Sequence, residues 1–141
     1  MKIFCSINTG LTNISNTIQP IGSTQYGGIS TLNITQQQLN TWINVDSTLT
    51  LGVGKYVISL YAYAPNMATN TDAYISIFND LQYPLFEKIC ELKNGTNINR
   101  DSYATITIFL TLQSPYTFHP VINTNAVMSD VKIELSAIRI K

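Results

Sequence analysis

A two-residue alternation runs unbroken through residues 102–112, Ser-Tyr-Ala-Thr-Ile-Thr-Ile-Phe-Leu-Thr-Leu. Successive side chains of an extended chain point to opposite faces. Ala104, Ile106, Ile108, Leu110 and Leu112 therefore share one face, and Tyr103, Thr105, Thr107, Phe109 and Thr111 the other. A helix would scatter both sets around its circumference. Residues 55–64 repeat the pattern, with Tyr56, Ile58, Leu60, Ala62 and Ala64 opposed to Val57, Ser59, Tyr61 and Tyr63. Residues 102–112 are expected to be the strongest core strand, with Ile108 inside it.

Weaker runs of the same kind fill most of the remaining chain. Strands are expected at residues 2–7, 29–35, 42–45, 48–51, 73–78, 85–92, 116–122 and 131–140. Gly52-Val53-Gly54 reads as a turn, Pro65-Asn66 as the stop of the 55–64 strand, and Pro120 as an interruption. Residues 9–28, rich in Asn, Thr, Ser and Gly, read as extended or irregular chain, and 36–41 as a turn or a single helical turn. In the last run Val131, Ile133 and Leu135 keep one phase while Ile138 and Ile140 fall in the other. Either a bulge near Ser136-Ala137 keeps both sets inside, or the final residues meet a second apolar environment such as a neighbouring subunit. Eight to ten short strands with polar turns between them predict a two-sheet sandwich or a closed barrel. The chain divides into residues 1–38, an N-terminal strand and an extended arm or linker able to pack on the head, and residues 39–141, the head domain.

Charge excludes several functions. Eight basic residues balance eight acidic ones, and 11% of the 141 residues are charged, against roughly 25% in an average soluble domain. The basic residues are scattered singly, so no phosphate-binding patch forms and no nucleic-acid partner is expected. No apolar stretch is long enough to insert in a membrane as a helix, and the N-terminus lacks the apolar core of a signal peptide. Weak charge repulsion is compatible with self-association. Cys5 and Cys90 each lie among apolar neighbours and read as two buried free thiols, with a disulfide as the alternative.

Catalytic chemistry finds little to work with. His119, between Phe118 and Pro120, reads as a structural or exposed strand histidine, although Asp130 and many hydroxyls are formally present. Most aspartates fall in turns, and neither a calcium loop nor a zinc ligand set occurs. No catalytic residue, metal site or cofactor is expected, and the chain is not expected to be an enzyme. The three N-x-S/T triplets, at Asn13, Asn33 and Asn94, are the number chance supplies in so Asn- and Thr-rich a chain. Binding is harder to set aside. Polar loops carry Tyr83 and Tyr116, which can stack on a ligand or simply anchor the loops. Trp42 is assigned to the core or its rim.

The order of signals carries a resemblance. A strand led by Trp42, then Leu49-Thr50-Leu51, a glycine turn and Gly54-Lys55-Tyr56-Val57-Ile58-Ser59-Leu60 resembles the early part of trimeric jelly-roll heads of the tumour necrosis factor/C1q-like type. Such heads also occur in phage head fibres, tail-fibre heads and capsid decoration proteins. The closing run Leu135-Ser136-Ala137-Ile138-Arg139-Ile140-Lys141 is similar to their last strand, and the resemblance covers residues 41–141. It implies an all-β, jelly-roll-like sandwich of two antiparallel sheets and a homotrimer. On this sequence the matching interface positions are Tyr61, Tyr63, Tyr103 and Phe109. The charge-poor, Asn- and Thr-rich composition looks like that of phage and other viral proteins. The expectation is a virion structural protein: a trimeric head-fibre, spike or capsid-decoration domain for assembly or attachment. Its partners are then other virion proteins and a cell-surface glycan or protein, and its place is the virion or, after lysis, the extracellular medium. The alternative is a soluble carbohydrate- or protein-binding, lectin-like module.

Overall fold

Extended segments with alternating burial dominate the computed structural model, which describes residues 20–78 and 90–141. Nine strands lie among them: β1 (Thr24–Ile34), β2 (Ile43–Asn44), β3 (Leu49–Leu51), β4 (Gly54–Met67), β5 (Thr71–Phe78), β6 (Cys90–Asn94), β7 (Arg100–Leu112), β8 (Tyr116–Thr124) and β9 (Met128–Arg139). A 3-10 turn, Gln36–Gln38, follows β1. Among the described residues no helix is long and apolar enough to cross a membrane.

The strands form two antiparallel sheets. One has the order β1-β9-β4-β7; the other has β2-β8-β5-β6, with β3 also paired to β8. From β1 to β2, β3 to β4, β4 to β5, β6 to β7, β7 to β8 and β8 to β9 the chain crosses between the sheets, and among the described strands only β5 and β6 are sequential neighbours in one sheet. This is a jelly-roll sandwich, the fold class expected from the alternation and the resemblance.

Inward-facing residues fill the space between the sheets. Tyr56, Ile58, Leu60, Ala62 and Ala64 of β4 are buried, as are Val131, Ile133, Leu135 and Ala137 of β9. Ala73, Ile75 and Ile77 of β5, Leu92 of β6, and Phe118 and Ile122 of β8 oppose them in one cluster. Each large aliphatic side chain so buried contributes about 1.5–3 kcal/mol. Small residues sit beside large ones across the ladder, Ala137 opposite Ile58 and Ala62 opposite Ile133, which lets the layers interdigitate. Tyr56 is fully buried, and its hydroxyl has no hydrogen-bond partner among the described residues.

Several expectations are corrected. Pro65 does not end β4. The strand continues to Met67 through a register shift after Ala64, with Asn66 at φ 47°. Asn tolerates this left-handed backbone, and the Asn66 N–H donates to Asp101 Oδ1 at 2.8 Å. Pro120 does not interrupt β8 either. A strand residue's N–H and C=O point to the same side, and the Pro120 carbonyl accepts from Val45 N at 2.9 Å. The missing N–H thus faces the gap between β2 and β3, and the pairing with β5 is unbroken. β1 begins at Thr24, before the expected Ile29, and is paired to β9 as part of the sandwich.

The expected core strength of residues 102–112 is also corrected. Their inner row, Ala104, Ile106, Ile108, Leu110 and Leu112, is only partly buried. β7 is an edge strand with β4 on one side, so half of each side chain's lateral cover is absent. The densest core lies on β4 and β9. Trp42 is likewise no core residue, at 45% exposure.

Candidate functional site

The outer face of the four-stranded sheet gathers the sequence-predicted interface residues. Outward positions of β4 are Val57, Ser59, Tyr61 and Tyr63, and the cross-strand register sets each in a row. Phe109, Val57 and Ile138 form one row; Thr107, Ser59, Ser136 and Tyr26 the next. Then come Thr105, Tyr61, Glu134 and Ile29, and finally Tyr103, Tyr63, Lys132 and Thr31. Aromatic and aliphatic side chains are thus interspersed on this face with small hydroxyls and with the charged Glu134 and Lys132.

Tyr61, Tyr63, Tyr103 and Phe109 therefore lie on one face, two strands wide. The Tyr63 and Tyr103 rings stack with centroids 4.7 Å apart and planes 27° from parallel. The Tyr63 hydroxyl donates to Asp101 Oδ2 at 3.2 Å. Loss of hydration and that carboxylate hold the Tyr63 phenol above its ordinary pKa, so it stays a neutral donor. Phe109 is 74% exposed and Tyr103 62%.

Four more apolar residues join this face: Tyr26 and Ile29, which the sequence did not assign to it, and Ile138 and Ile140, for which an outward apolar environment was one of two alternatives. Between β9 and β4 the register is continuous from Lys132 to Arg139, with no bulge at Ser136-Ala137. Ala137 accordingly takes the inner position, and Ile138 emerges outward, exposed like Ile140 after it. The phase change at 138 was the available signal. Tyr26 and Ile29 were hidden by a register shift between them at Gly27-Gly28, where Gly28 has φ 85°. An added residue in a bulge brings two positions three apart onto one face, and a strict two-residue reading misses it.

Elsewhere the described residues assemble little chemistry. His119 is on β8 in the five-stranded sheet, whereas Asp130 is on β9 in the other. No three His, Cys, Asp or Glu residues among those described are grouped to hold a metal. Lys93 lies 3.6 Å from Asp72 and 3.7 Å from Glu91, an exposed pair of contacts worth little stability. The Cys90 thiol is free, and burial pushes its pKa up to about 11, which makes it a poor nucleophile; Cys5 lies outside the described residues. Asn94 is buried, its amide donating to the carbonyls of Met67 at 2.8 Å and Ile98 at 2.9 Å. It is spent on structure.

The two ligand-binding candidates part company. Tyr116 is partly buried against the core, with its ring 5.0 Å from that of Phe118. It anchors the start of β8. Tyr83 lies outside the described residues.

A second concavity, of about 250 Å³, opens where β4 ends and β9 begins. Pro65, Asn66, Val127, Met128, Ser129 and Asp130 are among the residues that line it. Sequence reading did not find it, because it depends on two bulges that bring distant turns together.

No family model matches the sequence, and no curated protein is similar to it by sequence. Solved structures are similar in fold. The D431N mutant of VP2 of infectious bursal disease virus, from T=1 particles, aligns with a TM-score of 0.54 at 8% identity, over 84% of this chain and 31% of VP2. VP2 of the same virus in a subviral particle gives 0.52 at 11% identity, over 84% of this chain and 32% of that one. Murine APRIL gives 0.50 at 10% identity, over 82% of this chain and 98% of APRIL. This chain thus spans about a third of the VP2 chains. Strand order and these likenesses together show a jelly-roll sandwich fold.

Proposed function

We propose that this chain is the head of a virion structural protein, a homotrimeric fibre, spike or capsid-decoration domain that serves assembly or attachment. One observation carries the reading: the outer face of the β1-β9-β4-β7 sheet leaves Phe109, Tyr103, Tyr26, Ile29, Ile138 and Ile140 in water. Six large apolar residues exposed on one sheet face, interspersed with hydroxyls and with Glu134 and Lys132, fit an interface between proteins, and aromatic residues are enriched at the centres of such interfaces. Near-zero net charge removes the repulsion that would oppose association of like copies. The fold likeness to VP2 of viral particles supports the particle setting. Other virion proteins are then its partners and the particle its location.

Tyr63→Ser tests the interface. It removes one ring of the stacked pair without touching the inner face, so the expected outcome is loss of trimer mass at low micromolar concentration with the protomer still folded. An unchanged trimer counts against the assigned surface. Antibody labelling or co-sedimentation of the protein with purified particles tests the setting, and its absence from every particle fraction would remove the virion reading.

A further inference from the structure

We propose that the cleft between the end of β4 and the start of β9 is a binding site for a single neutral sugar residue. The proposal rests on the attachment part of the function proposed above and supplies its ligand class. The cleft belongs wholly to one protomer, so it does not depend on the trimer.

The backbone on both sides of the cleft is held in an uncommon conformation. Asn66 has φ 47° and Asp130 φ 55°, two of the four non-glycine residues with positive φ among those described. Such conformations cost energy and cluster at ligand sites, where the surrounding structure enforces them. Here the enforcement is visible. The Asn66 N–H donates to Asp101 Oδ1 at 2.8 Å, and the Asp130 N–H donates to Asn33 Oδ1 at 2.9 Å. Each strained turn is tied down through its main chain by a carboxylate or amide from a neighbouring strand.

The side chains at the rim are left unspent. Asn66 offers an amide donor and acceptor, Ser129 a hydroxyl and Asp130 a carboxylate, and none of the three forms a side-chain hydrogen bond to another described residue. Buried Met128 provides an apolar floor, with Pro65 and half-exposed Val127 as walls. Convergent polar groups over an apolar base are the general form of a small-ligand site. At about 250 Å³ the space suits one ring rather than an extended molecule.

Charge selects the class. Asp130 lines the cleft two residues before Lys132 on β9, and Arg100, opposite Met67 in the ladder, is followed by Asp101 on β7. The opposed charges cancel, so an anion or a cation gains little net attraction. A neutral ring rich in hydroxyls uses what is present. Its C–H surface packs on Pro65 and Val127, vicinal hydroxyls donate to the Asp130 carboxylate, and further hydroxyls exchange hydrogen bonds with the Asn66 amide and Ser129.

The test is amide-resolved NMR of the isotopically labelled full chain, titrated separately with glucose, galactose, mannose and N-acetylglucosamine at millimolar concentration. The expected result is that at least one sugar shifts the amide resonances of Asn66, Ser129 and Asp130. Asp130→Asn keeps a residue suited to positive φ and removes the charge. It should weaken that binding about tenfold or more without changing melting temperature or oligomer mass. Asn66→Gly, which also tolerates the turn, should weaken it with the same controls unchanged. Absence of shifts with all four sugars, shifts confined to other residues, or undiminished affinity in Asp130→Asn would each overturn the site. Binding of methylammonium or acetate there in place of the sugars would overturn its ligand class. None of these outcomes bears on trimer mass, so the two readings fail separately.

Discussion

The inner and outer faces of the four-stranded sheet are written by alternate residues of the same strands, yet they make opposite demands. Inside, Ile58, Leu60, Ile133 and Leu135 are dry and tightly neighboured by the second sheet. Outside, Phe109, Tyr103 and Ile138 are as apolar but meet water in the single protomer. An apolar residue inside is explained by the fold. Six on one outer face are not, and that difference locates the surface on which function is argued. It also separates two kinds of substitution, those that unfold the protomer and those that disperse protomers.

The largest effect is expected from Ile58→Asp. An unpaired carboxylate at a fully buried site costs about 3–5 kcal/mol or more, a large share of the 5–15 kcal/mol typical of a domain. Thermal melting should lose its cooperative transition. Ile108→Asp on the edge strand should instead keep it, with a loss of about 1–3 kcal/mol, because its half-buried position lets the charge reach water. Equal damage from both would erase the distinction drawn between β4 and β7. Next comes Phe109→Glu on the outer face. A central interface aromatic is worth about 2 kcal/mol or more, so association should weaken at least about thirtyfold while the protomer melts as before. A drop in melting temperature of the isolated protomer would mean that Phe109 serves the fold. The smallest effect is Tyr56→Phe. The buried Tyr56 hydroxyl has no partner among the described residues, and deleting an unsatisfied group should raise stability by about 1 kcal/mol. A lower melting temperature would show that the hydroxyl is bonded after all.

Much of this arrangement was legible in the alternation of residues, and the failures share a physical cause. β4 and β9 showed their inner and outer faces because pleat geometry forces side chains to opposite sides. What a single chain does not display is its neighbours. Ile108 alternates as cleanly as Ile58, but its strand has a partner on one side only. Pro120 looked like a break because the direction of its missing N–H depends on where β2 and β3 end. Pro65-Asn66 looked like a stop and the residues before 29 like irregular chain, yet bulges at Pro65-Asn66 and Gly27-Gly28 shift register without ending the strand. Ile138 and Ile140 were the informative exception. Their phase change could mean a bulge or an outward apolar surface, and the unshifted ladder to β4 selects the second. The cleft was invisible in sequence, since Asn66 and Asp130 come to line it at two register shifts, one after Ala64 and one between Leu32 and Ile34.

Sedimentation equilibrium of the unaltered protein over a wide concentration range bears most directly on the outer face. Burial of that sheet between like copies predicts a mass of three protomers that persists on dilution into the low micromolar range. A mass of one protomer at the highest concentration attained would contradict it, and would leave the sandwich without the assembly built on its exposed aromatic rows.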